Sequence, residues 1–280
     1  MQSSNPVFRK AEGFNGRSTS GMTYPAYGGG SPSSFDPYGS TGSSGPTQTR
    51  VEGPMTIDSV VQKTGATLGL VVLAAAATWF VTPNPAEFGV DASSLYLLAM
   101  VGAFGGFALS MVNSFKRVVS PALVMAYAVL EGVFVGAFSK ILQASFGQGI
   151  VIGAVAGTAA AVAGTLAAYT FFDIRVTPTF RKWVTAAMFG FVAVTLMDVV
   201  LSIFHASFGF NGFGPMGFVS SLIGLGLGVL MLILDFDFVE RGIAAGLPER
   251  ESWRAAFGLT VTIIWIYVEL LRLLAILRGE

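Results

Sequence analysis

From about Ile57 onward the apolar residues come in long runs rather than in alternation. Thr64 to Ala86 and Ala92 to Phe115 contain no Asp, Glu, Lys or Arg. Val118 to Ser139 contains only Glu131, and Trp183 to Phe204 only Asp198. Ile141 to Phe172 is free of charge and is split by the turn Gly147-Gln148-Gly149. Pro215 to Leu234 is clean and runs into Asp235-Phe236-Asp237; Trp253 to Leu277 carries Arg254, Glu269 and Arg272. A hydrocarbon layer about 30 Å thick takes roughly 20 helical residues. The pattern therefore predicts seven transmembrane helices, near 60–82, 93–115, 119–142, 149–172, 183–204, 216–238 and 254–277. In lipid such segments must satisfy their backbone internally, which makes them helices. Turn chemistry lies between them: Pro83-Asn84-Pro85, Pro121, Pro178, Asn211 to Pro215, and Pro248.

The first 50 residues read differently. Gly, Ser and Pro supply nearly half of them, with single aromatics between. Such a stretch buries too little apolar area to offset its chain entropy, so residues 1–55 are expected to be a disordered tail preceding a membrane domain over 56–280. The fold class expected is all-α: a polytopic membrane protein, a seven-helix bundle with a disordered N-terminal tail.

Composition narrows the function. Of 280 residues, 53% are hydrophobic and 11% charged, with a mean hydropathy of +0.68; soluble domains carry about 25% charged residues. Lys and Arg balance Asp and Glu at 16 each, which argues against nucleic acid as a partner. Without cysteine there is no thiol chemistry, and one histidine, His205, makes no multi-histidine metal site. No phosphate-binding loop and no nucleophile–base pair stands out, so neither an enzyme nor a bound cofactor is expected. The expected surroundings are a lipid bilayer. Placing the tail in the cytoplasm puts 13 of the 16 basic residues on that side and leaves Lys140, Arg272 and Arg278 opposite. The positive-inside rule then puts the N-terminus inside and the C-terminus outside a cell membrane.

An ionisable group within hydrocarbon is costly, and so is a functional candidate. Five acids qualify: Glu131, Asp198, Asp235, Asp237 and Glu269. Glu131 shares a helix face with Tyr127, while Gly132 and Gly136 line a neighbouring face open to another helix. It reads either as a polar tie between helices or as a proton- or cation-responsive site. Asp235 and Asp237 lie two residues apart and point to nearly opposite sides, so only one can face a given lumen. Glu269 has Arg272 three residues on, the spacing of an intrahelical pair. Asp198 has no basic residue within a turn and needs a partner from another helix, or must stay neutral.

Three segments resemble one family. Tyr127-x-x-x-Glu131-Gly132-x-x-x-Gly136-x-x-Ser139 resembles the third-helix motif of the Bax inhibitor-1 (transmembrane BAX inhibitor motif) family. Leu234-Asp235-Phe236-Asp237 resembles its sixth-helix motif, and Leu270-Leu271-Arg272 its closing segment. Ser3 to Phe8 and Ser114 to Pro121 resemble the actinobacterial branch. The resemblance implies a bundle with a central last helix and a pH-sensitive calcium leak, gated by one acid on the sixth helix and one on the seventh. Asp235 fits the first. At the second register stands Thr262, with Glu269 two turns on; either Glu269 replaces the missing acid, making Asp235 and Glu269 the calcium ligands, or the paired sensor is absent. Lys116 or Arg117, or Arg272, would supply a cation near the acids. Calcium or protons are the expected cargo. The alternative is a non-transporting regulator that binds a membrane protein, since the family includes a modulator of a membrane protease.

Overall fold

The apolar runs are too long and too uniform to alternate, so their backbones close on themselves as helices. The computed structural model describes residues 53–85, 92–172 and 174–279. Over these the chain forms α1 (Ile57–Val81), α2 (Ser93–Phe115), α3 (Pro121–Phe146), α4 (Ile150–Phe171), α5 (Pro178–Ile203), α6 (Pro215–Ala244) and α7 (Glu251–Gly279). All seven are long and apolar enough to cross a membrane. Proline opens α3, α5 and α6, where its missing N–H leaves no bond unmade. Thr56 caps α1 through a reciprocal bond with Ser59. Several helices outrun the expected spans. α5 begins five residues early, taking in Arg181 and Lys182, and α6 continues to Ala244, because polar helix ends project beyond the hydrocarbon.

The expected disordered tail lies outside the described residues as far as residue 52. Its last positions are ordered. Met55 donates its N–H to the Leu247 carbonyl at 2.7 Å, and Gly53 accepts from Glu249 N–H at 2.8 Å. Met55 is buried against Leu232 and Ala255, because Ser59 reaches Ser252 (2.6 Å) and Lys63 pairs with Glu249 (3.1 Å), fastening α1 to the turn between α6 and α7.

α7 is the hub. Its backbone approaches α1, α3, α4 and α6, and its side chains enter most of the core clusters. α2 rests on α3, and α5 on α6 alone. Close approach is bought with glycine. A Cβ at Gly102 would lie 2.6 Å from the Phe134 nitrogen, and one at Gly132 2.6 Å from the Ala74 Cβ. The two motif glycines of α3, Gly132 and Gly136, thus receive α1, while Gly102 and Gly106 let α2 lie along the opposite flank.

α5 is pinned at its ends. At one, Arg181 pairs with Asp237 of α6 at 2.5 Å. At the other, the Asp198 carboxylate accepts N–H groups from Phe208 (2.6 Å), Gly209 (3.2 Å) and Asn211 (3.0 Å), together with the Asn211 side chain. Asp198 finds its partners in the backbone of the α5–α6 connection, not in a basic residue of another helix. Lys140 acts likewise on α1: buried on α3, it donates to the carbonyls of Trp79 (2.6 Å) and Thr82 (2.5 Å), the negative end of that helix.

Two stability predictions follow from these contacts. Gly132→Leu must wedge α1 from α3 and should cost roughly 1–3 kcal/mol, read as a lower apparent melting temperature in detergent. Gly69→Ala, whose Cβ meets nothing within 4 Å, should leave it in place. Asp198→Ala strands backbone donors at roughly 1–3 kcal/mol for each that stays buried; hydrogen exchange should accelerate at residues 208–211 and not in α7.

Candidate functional site

The antiparallel contact of α6 with α7 sets the register of the acids. Along α6, Gly224 meets Glu269, Gly228 meets Trp265 and Ile266, and Asp235 meets Thr262. Small residues at 224 and 228 bring the helices together, and the Trp265 indole fixes the seam by donating to the Gly224 carbonyl at 3.0 Å. Asp235 therefore sits within the seam, partly buried, nine residues before the end of α6. Its Oδ2 accepts the Thr262 hydroxyl at 2.6 Å. Oδ1 faces Gly258, where a Cβ would stand 3.4 Å away. Thr262, at the register where the resemblance expects an aspartate, is thus in contact with Asp235.

Glu269 does not join them. It lies seven residues further along α7, about 10 Å at 1.5 Å per residue, and is held by Arg272 of its own helix at 3.2 Å. Arg272 also donates to the Phe210 carbonyl at 2.8 Å, tying the buried pair to the α5–α6 connection. Asp235 and Glu269 consequently do not form a joint calcium site. Among the described residues no cluster of three or more His, Asp or Glu side chains is placed to hold a metal ion.

Asp237 points away from Asp235, as their spacing requires. It is buried, and its two oxygens take Arg181 and Arg241 (2.8 Å); Arg241 also reaches the Val176 carbonyl at 2.6 Å. This is a clamp of α5, α6 and the segment before α5, not a solvated helix end. The proposed cationic partners Lys116 and Arg117 are exposed and pair with none of the acids; the Arg117 carbonyl accepts from Arg254 at 2.6 Å. Their place at the end of α2 points them outward.

Glu131 occupies the other flank of α3, its carboxylate directly over Gly106 of α2. Among the described residues it forms no hydrogen bond or ion pair, which sets it apart from the other four acids. Tyr127, one turn earlier, packs edge-on against Phe257 of α7 with ring centroids 5.1 Å apart. Asn113 of α2 is buried with its amide unpaired. Ser139, closing the motif, shares a hydrogen bond of 2.7 Å with Tyr267 of α7. The motif is thus a junction where α3 meets α1 through glycine, α2 through Glu131 and α7 through Tyr127 and Ser139.

Sequence reasoning missed Lys140 and Ser139 as ties between helices. Lys140 had a legible signal, a lone lysine within an apolar run. No local signal marks the acceptor carbonyls of Trp79 and Thr82. Glu131, Asp235 and Glu269 sit at contacts between closely packed helices, against Gly106, Thr262 and Gly224 respectively.

Comparison with known proteins agrees with the motifs. A protein of Chlamydia muridarum, itself described only as uncharacterized, is 30% identical over 161 residues, covering 55% of this chain. The match spans 63% of that relative's length, less than two thirds. The description "Bax inhibitor 1 like" fits residues 5–279, nearly the whole chain. With seven apolar helices arranged around the last of them, and the third- and sixth-helix motifs each in contact with that last helix, the chain belongs to the Bax inhibitor 1 like family.

Proposed function

We propose that this integral membrane protein is a pH-sensitive cation leak, with calcium as cargo, and has no enzymatic activity. Asp235 is its sensor. The observation carrying this reading is the α6–α7 seam, where a carboxyl at membrane depth is held by one neutral hydroxyl rather than by an arginine. Asp198, Asp237 and Glu269 are each tied down by several donors or an ion pair, so a change of proton or cation occupancy acts least readily on them. Asp235 and Glu131 keep that freedom. A carboxylate is the ligand type a hard cation selects, and removing its charge alters the balance between two packings of the bundle. Close packing around the acids corresponds to a closed leak. We place the N-terminus in the cytoplasm and the C-terminus outside, from the distribution of lysine and arginine.

A second reading, a non-transporting regulator of another membrane protein, draws on the ordered attachment of residues 53–55 to the α6–α7 turn, which would link a partner bound to the tail with the seam.

The full chain in liposomes loaded with a calcium dye separates the two. Flux should vary with pH, with a slope near one proton. Asp235→Asn should flatten the profile, and Thr262→Asp should spread it into two separated steps, because two carboxyls that share one seam cannot readily ionise together. Asp237→Asn should affect stability more than the profile. No flux above protein-free vesicles at any pH would leave the regulator reading, which predicts that deleting residues 1–50 abolishes partner capture.

A further inference from the structure

Buried hydroxyls on α1, α4 and α7 are satisfied within their own helices. Thr67, Thr158 and Thr260 each donate to the carbonyl four residues back at 2.7 Å. Two hydroxyls of α6 are not. Ser220 and Ser221 are 3% and 0% exposed, and neither makes a well-formed hydrogen bond among the described residues. A buried hydroxyl without a partner raises the free energy of the packing that holds it, and water would relieve it.

Both serines stand one turn before Gly224, four and three residues away, and so flank the face of α6 that meets α7. Glu269 turns Oε1 toward that face, where a Cβ at Gly224 would lie 2.7 Å from it. Oε2 holds Arg272. Ser221 lies near enough to bear on the Glu269 carboxylate, short of an ordinary hydrogen bond. The antiparallel register that sets Gly224 against Glu269 sets Ser221 level with Arg272, the least buried of the four polar residues. The group has more hydrogen-bonding capacity than it uses. A guanidinium carries five N–H groups, and the bonds of Arg272 go to Glu269 and to the Phe210 carbonyl.

The α5–α6 connection covers this end of the seam with polar ties rather than interlocked side chains. Arg272 holds Phe210 at 2.8 Å, Gly217 lies directly under the Gly212 carbonyl, and Asp198 gathers the N–H groups of Phe208, Gly209 and Asn211. The approach to it, from Ser202 to Phe208, is exposed. Such ties are the kind that water can replace one by one.

We propose that this end of the α6–α7 seam is a gated water-binding site. The α5–α6 connection is its cap, and when the cap lifts, water enters to bond Ser220, Ser221 and the Glu269 carboxylate. Water fits because the charges of Arg272 and Glu269 already balance, so the group lacks hydrogen bonds and not charge. It both donates and accepts, as two hydroxyls, a carboxylate oxygen and spare guanidinium N–H groups require. These bonds form only in the open arrangement, which the unpaired serines thereby bring closer in free energy to the closed one. The opening needs no ion to pass, so its test stands apart from that of the leak.

The chain contains no cysteine, so one substituted thiol reports alone. In the full detergent-solubilised chain, Ser221→Cys and Ser220→Cys should react with a charged methanethiosulfonate reagent roughly tenfold faster than Ala128→Cys, because local opening precedes global unfolding. Ala128 is 0% exposed on α3 and serves as the report of global unfolding. Adding Asp198→Ala, which frees the cap, should accelerate the two serine-site thiols more than Ala128→Cys. Ser220→Cys keeps the test decisive where Ser221→Cys disturbs the packing at Glu269. Serine-site thiols that react no faster than Ala128→Cys, or an Asp198→Ala effect equal at all three positions, would overturn the proposal.

Discussion

Hydrocarbon offers no hydrogen-bond partner, and each acidic side chain of this bundle is defined by how it meets that constraint. Asp198 takes backbone N–H groups from the connection that follows its own helix. Asp237 takes two guanidinium groups. Glu269 takes Arg272, which a second bond ties to Phe210. Asp235 has a single hydroxyl, and Glu131 has no bond among the described residues. Breaking a buried ion pair by losing one partner costs several kcal/mol, because it leaves an uncompensated charge. The first three acids are therefore committed to architecture. The last two are where a change of charge meets the least resistance.

That division matches the mechanics of the bundle. α1, α2 and α3 approach so closely at Gly102, Gly132 and Gly136 that a Cβ on any of these would strike the backbone of the neighbouring helix, and such seams have little room to slide. α5 contrasts with them: its backbone rests on α6 alone, and it is secured by Asp237 at one end and Asp198 at the other. Its mid-length tie to the hub is the contact of the Phe191 ring with Trp265, 5.8 Å between centroids. Trp265 also holds the seam through Gly224, so a single side chain touches both α5 and the α6–α7 contact that contains Asp235.

The seven helices were legible because hydrophobic run length is a local property, and Pro121, Pro178 and Pro215 punctuate the runs at positions where only a helix start accepts them. The opposite facing of Asp235 and Asp237 followed from helix geometry alone, as did the pairing of Glu269 with Arg272. Partners distant in sequence were not legible. Nothing near Asp198 marks Phe208 to Asn211 as its donors, and nothing near Lys140 marks the end of α1. Backbone groups carry no sequence signature, and which helix end a long side chain reaches is decided by packing. Lys116 and Arg117 show the converse error: their nearness to the acids in the family pattern does not survive the outward turn of the chain after α2.

Thr262 is the most informative departure from the family pattern. Two facing carboxyls share a proton because both cannot readily ionise together. A hydroxyl facing a carboxyl has no such conflict, since it donates to the ionised form and accepts from the protonated one. Gain of a proton at Asp235 therefore preserves the contact with Thr262 and changes only the charge of the seam. A cation acts differently. The carboxylate has lone pairs on both oxygens and Thr262 takes only one, on Oδ2, so a cation can bind at Oδ1 with the hydroxyl still paired, or draw in the hydroxyl oxygen as a second ligand if that group rotates. Glu269 cannot supply that ligand, being two turns away and neutralised by Arg272. On the proposed reading, the seam separates the two stimuli by their chemistry: a proton removes the charge of Asp235, whereas a cation binds only while that charge is present.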